Sequence, residues 1–150
     1  MEFTELQDII DFAIDKEQEA MDFYNELAVK VKEKAIAEEL SKMALIEQSH
    51  RDWLKNMDVK AVAQNVPKPV QTLKIADYLV EKEPSPDMNW QDILHIAMKR
   101  ELASMNLYTD LAKLVTDPTA KQMFQSLVAE ESKHKLYFEK IWDEEILKDN

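Results

Sequence analysis

The sequence predicts an all-α four-helix bundle made of two helical hairpins, and three observations carry that expectation. Its 150 residues contain no Gly and five Pro, whereas sheets joined by tight hairpins usually need Gly for positive φ. Apolar residues recur at steps of three and four along most of the chain, the spacing of one helix face. Residues 6–57 also repeat in residues 90–141 at an offset of 84, without a gap.

The elements follow in order. Leu6, Ile9, Ile10, Ala13, Ile14, Glu17, Met21, Tyr24, Leu27, Ala28 and Val31 form a stripe that predicts a first helix over about 4–31, with Thr4 as its N-cap. Ile36, Leu40, Met43, Ala44, Glu47, His50 and Leu54 predict a second over about 35–57. Pro67, Pro69, Pro84 and Pro86 break the pattern across 58–86, leaving room for a short helix near 71–82. A third long helix is expected over 88–115 and a fourth over 118–147. Between them Asp117 can cap and Pro118 can occupy the first turn. The segment 58–86 is longer than a tight antiparallel connection needs. It is therefore expected to run along the bundle as a crossover, leaving the second and third long helices parallel. A chain of this length fits one domain, residues 1–150, with the hairpins as its halves.

What the repeat preserves is more telling than that it exists. Twelve of 52 aligned positions are identical, and Glu17/Glu101, Tyr24/Tyr108, Glu47/Glu131 and His50/His134 are among them. Within Glu47-x-x-His50 and Glu131-x-x-His134 the two side chains lie one turn apart on one helix face. Dimetal carboxylate bundles use one Glu on each of two helices and a Glu-x-x-His on each of the other two. This sequence holds that inventory in that order. Glu17 and Glu47 are equidistant from residue 32, and Glu101 and Glu131 from residue 116, beside the Asp117-Pro118 break. In each antiparallel hairpin the ligands thus fall level.

Four buried carboxylates without counter-charge would be strongly unfavourable, so two divalent ions are expected. Glu47 and Glu131 would bridge them, while Glu17/His50 and Glu101/His134 would complete the two ends. Mixed imidazole and carboxylate ligation suits iron or manganese and leaves zinc open. Tyr24 and Tyr108, two turns beyond Glu17 and Glu101, could each donate a hydrogen bond to a ligating carboxylate. Met21 and Met105 read as packing, and His95, off the ligand face with Asp11 at its aligned position, reads as outside the site.

Composition narrows the function class. A formal charge of −11, from 30 acidic against 19 basic residues, disfavours nucleic acid, whose phosphates need clustered Lys and Arg. No apolar run is long enough to span a membrane, and the acidic start Met1-Glu-Phe-Thr-Glu is unlike a signal peptide. With no Cys there is no disulfide and no thiolate metal site, which makes the cytoplasm the expected compartment.

The doubled spacing Glu-x29-Glu-x2-His (17/47/50 and 101/131/134), with the Glu-x6-Tyr pairs 17/24 and 101/108, resembles the rubrerythrin branch of the ferritin-like superfamily over about 4–147. The resemblance implies a ferritin-like bundle with a non-haem di-iron site that reacts with hydrogen peroxide or dioxygen, and a homodimer. Rubrerythrins proper also carry a rubredoxin domain. Its absence here implies an external electron donor such as rubredoxin. Peroxidase-type rubrerythrins carry a further Glu three residues after the third-helix ligand, where this sequence has Ser104. An oxidoreductase is therefore the leading expectation, with ferroxidase, iron handling or iron storage as the alternative. A metal-dependent scaffold and manganese catalase chemistry are minor readings.

Overall fold

The structure is a computed structural model that describes residues 5–66, 73–80 and 88–149. The chain divides into two compact units, Phe3–Val70 and Gln71–Asn150, and each contains one of the expected hairpins.

In the first unit α1 (Leu6–Lys30) packs against α2 (Lys34–Lys55). The expected cap, Thr4, lies outside the described residues, and the cap position is Glu5, whose backbone N–H donates to the Asp8 carboxylate at 3.0 Å. Leu6, Ile9, Ile10, Ala13, Met21, Tyr24 and Leu27 are buried as the stripe requires, while Ile14, Ala28 and Val31 stay half-exposed. Phe23 is buried as well, its ring 5.5 Å from that of Tyr24. From α2 come Leu40, Met43, Ala44 and Leu54; Ile36, nearer the turn, is only half-buried. Beyond α2, Asp58 accepts from the Ala61 N–H at 3.2 Å and starts a single turn, α3 (Val59–Val62), which runs into a 3₁₀ turn at Ala63–Asn65.

In the second unit α4 (Trp90–Leu114) packs against α5 (Pro118–Asp149). The Asn89 side chain caps α4 by accepting from the Asp92 N–H at 2.8 Å. Asp117 caps α5, its Oδ2 accepting from the Ala120 N–H at 2.9 Å, with Pro118 as the first helical residue. Lys121 reaches back to the Ala112 carbonyl at 2.6 Å, satisfying one of the acceptors that a helix end leaves open. Leu94, Ile96, Ala97, Leu107, Tyr108 and Leu111 form the buried face of α4, and Ala120, Phe124, Leu127, Phe138 and Ile141 that of α5. Tyr108 stacks on Phe124 with ring centroids 6.0 Å apart.

The short helix expected near 71–82 is a single 3₁₀ turn, Ile75–Tyr78; positions 71, 72, 81 and 82 lie outside the described residues. One polar contact fastens it to α4: the buried Tyr78 hydroxyl donates to Asp110 Oδ2 at 2.7 Å. Burial pushes the Tyr78 hydroxyl pKa above its ordinary value, and the Asp110 hydrogen bond and the charges of Asp110 and Asp77 push it further.

Both hairpins turn without Gly, and the backbone shows how. Helix α1 ends at Val31 with φ −72° and ψ 140°, and α4 ends at the repeat mate Val115 with φ −77° and ψ 146°. Each Val N–H still bonds back four residues, to Leu27 and Leu111, at 3.0 Å. The chain leaves each helix through extended backbone rather than through the left-handed conformation that favours Gly. Val31 and Val115 hold the same place in the two turns and are one of the identical repeat pairs.

Candidate metal centre

Each hairpin builds its own cluster from residues one turn apart. In the first, Glu17 comes from α1, and Glu47 and His50 from α2; all three are buried, the most exposed at 2%. His50 Nδ1 lies 3.5 Å from Glu17 Oε1 and 3.9 Å from Glu47 Oε1. One ligand atom from each of the three falls within 4.8 Å of the others.

The second hairpin matches the first closely. Glu101 comes from α4, and Glu131 and His134 from α5, again buried, with Glu131 at 0% exposure. His134 Nδ1 is 3.5 Å from Glu101 Oε1, the same separation as His50 from Glu17. The three residues again offer ligand atoms within 4.8 Å of one another. Both imidazoles thus present Nδ1 to the carboxylates.

These carboxylates sit inside apolar stripes, one turn from Ala13, Met21, Met43 and Ala44 in the first hairpin and from Ala97 and Leu127 in the second. Packing alone would favour an aliphatic residue at each position, because desolvating an ionised carboxylate is costly. Two Glu and one His, buried with their donor atoms converging, fit a divalent cation of intermediate hardness. Each triad therefore offers a donor set that could hold a metal ion.

The remaining sequence expectations can be placed individually. Tyr24 and Tyr108 are both buried at 1% exposure, each held against a Phe ring. Met21 is buried and Met105 half-buried, both as packing groups. His95 is exposed, its ring 6.2 Å from that of Trp142, and belongs to neither triad. Ser104 lies one turn beyond Glu101, half-buried.

One arrangement beside the first triad has no signature in the sequence. Arg51, directly after His50, donates through Nη1 to Gln18 Oε1 at 2.6 Å, and Gln18 directly follows Glu17. The two positions are 33 residues apart on different helices, and no local spacing pairs them.

Comparison with known proteins gives a family and a fold. The family model described as Rubrerythrin matches residues 8–142. A Thermotoga maritima protein that carries the description ferritin-like diiron-carboxylate protein superposes with a TM-score of 0.80 at 20% identity, over 97% of this chain and 99% of that one. A hypothetical protein from Pyrococcus furiosus gives a TM-score of 0.67 at 23% identity, over 90% of this chain and 86% of that one. A comparison with curated proteins gives no match. The structural likenesses show the fold, a ferritin-like helical bundle. No helix among the described residues is long and apolar enough to cross a membrane.

Proposed function

The chain belongs to the rubrerythrin family, and on that premise we propose that its two triads together hold an iron pair that reduces hydrogen peroxide or dioxygen. The observation that carries this reading is the duplication itself: the same buried Glu, Glu and His, with the same Nδ1-to-carboxylate separation of 3.5 Å, in both hairpins. In this reading Glu47 and Glu131 would be shared between the metals, while Glu17 with His50 and Glu101 with His134 would be the terminal ligands. When bound, the metal pair supplies two electrons and a Lewis-acidic template for cleavage of the O–O bond.

The protein's own part is to bind, orient and desolvate. Apolar neighbours exclude bulk water from the carboxylates, which strengthens every charge interaction there. Presenting Nδ1 fixes which ring nitrogen of each His ligates and leaves Nε2 to set the tautomer. Tyr24 and Tyr108, buried two turns beyond Glu17 and Glu101, would each donate a hydrogen bond that orients a ligating carboxylate. In this reading electrons come from a redox carrier such as rubredoxin, and the Cys-free residues of the two hairpins hold only the oxygen and nitrogen ligands. Manganese or zinc would satisfy the same donor set.

Ser104 supports a second reading. A hydroxyl stands where peroxidase-type relatives would place a further carboxylate, so the six ligands form a symmetrical set. Such a set favours a single oxidation, as in ferroxidase or iron-storage work, over repeated turnover.

One experiment separates the readings. The reduced protein is loaded anaerobically with ferrous iron, given stoichiometric peroxide, and followed by its ferric absorption with and without reduced rubredoxin. Catalytic consumption of the reductant supports the oxidoreductase, and one oxidation without re-reduction supports iron handling. Binding of fewer than two metal ions per chain would sink the dinuclear reading.

A further inference from the structure

The two triads match in their ligands but differ in what surrounds them. Around the first, a polar string runs across the hairpin. The Arg51 guanidinium donates through Nε and Nη2 to Asp52 Oδ1 at 3.1 and 3.0 Å, and through Nη1 to Gln18 Oε1 at 2.6 Å. Gln18 in turn donates through Nε2 to Asp22 at 3.0 Å, which leaves its carbonyl oxygen to accept from Arg51. The guanidinium is largely sheltered, with 17% of the side chain exposed. Three of its donors are therefore used in fixed directions, as a planar fork allows.

At the repeat positions of the second hairpin this string cannot form. Leu102 stands for Gln18, Lys135 for Arg51 and Leu136 for Asp52. Neither Leu can accept a hydrogen bond. Lys135 pairs instead with Glu139 along its own helix, and Leu102 and Leu136 are exposed.

We propose that Arg51 is a positioning residue for the first triad. By bonding Gln18 it sets α1 against α2 at the level of Glu17 and His50, so this triad takes up a divalent cation more tightly than the second does. Each partner is one residue from a ligand, so fixing the Arg51–Gln18 distance fixes the backbone spacing across which Glu17 and His50 face each other at 3.5 Å. A triad held at its bound spacing loses less conformational freedom on taking up a metal. The inference rests on the dinuclear reading above and goes beyond it by making the two metal positions inequivalent.

The test is a cobalt(II) titration of the full chain, read by visible absorption and calorimetry. Wild type and Arg51→Met are compared alone, and each is compared again with His134→Ala or His50→Ala, which spoil one triad at a time. Arg51→Met is expected to weaken the first binding step by about tenfold, the lower end for partners that orient ligands, and to leave the second unchanged. The loss should persist with His134→Ala and vanish with His50→Ala. Arg51→Lys, which keeps the charge and loses the fork, should recover only part of it. Carrying the string to the other hairpin as L102Q/K135R/L136D should strengthen the second step. Equal weakening of both steps, or no weakening of the first, would overturn the proposal. Fewer than two cobalt ions per wild-type chain would instead overturn the dinuclear reading on which it rests.

Discussion

Replacing Glu131 by Leu should make the metal-free protein more stable while removing most of the stabilisation that metal provides. Glu131 is wholly buried, at 0% exposure, among the apolar faces of α5. Exchanging buried charged groups for apolar residues of similar volume is often neutral or stabilising by about 1–4 kcal/mol. One carboxylate among several should fall at the lower end, about 1–2 kcal/mol. For a chain of this size each kcal/mol moves Tm by about 2–4 °C, so metal-free Glu131→Leu should melt a few degrees above wild type. Metal acts in the opposite sense. A cation at 100 times its Kd stabilises by about 2.7 kcal/mol, so two contribute about 5 kcal/mol and raise the wild-type Tm by about 10–20 °C. Differential scanning calorimetry with chelator and with excess manganese(II) reads both quantities. A lower metal-free Tm together with an intact metal-dependent rise would refute the reasoning, because Glu131 would then be structural and not a ligand.

Other perturbations probe the frame around the site. Tyr78→Phe removes the bond to Asp110 and should lower stability near neutral pH by about 1 kcal/mol in urea unfolding. Because the folded-state pKa of Tyr78 is raised above 10.0, its contribution is complete below that value and declines as pH rises above it. The gap between wild type and Tyr78→Phe should accordingly narrow in alkaline buffer; a gap that widens would contradict the assignment. Phe138→Ala, at a fully buried position of α5, should cost about 3–5 kcal/mol. It should leave the number of cations bound in a calorimetric titration unchanged.

Much of the fold was legible because it is encoded locally. Asp117 and Pro118 mark the second hairpin turn through capping chemistry that involves only neighbouring residues, and the Asp117 side chain makes the expected bond. The triads were legible for a different reason. A Glu or His in the middle of an apolar stripe is an anomaly that periodicity exposes, and exact repetition of the anomaly left few accidental explanations. Periodicity failed where the contacts are not periodic. Phe23 and Tyr24 are adjacent yet both buried, because the two rings pack on each other and widen the stripe. Helix α3 is only four residues long and is started by Asp58, too short to show a period at all. The Tyr78–Asp110 and Arg51–Gln18 bonds join residues 32 and 33 positions apart, so folding alone brings them together.

The uneven dressing of two matching triads has a consequence for how such a chain can change over generations. A hairpin that paired with an identical copy would present every side chain twice in equivalent surroundings. An arginine brace beside one triad would then stand beside both, and no mutation could tune one alone. With both copies written into a single 150-residue chain, Gln18 can be kept while Leu102 takes its place in the other half. Internal duplication thus frees two matching triads to acquire different surroundings, a divergence that strict two-fold pairing forbids.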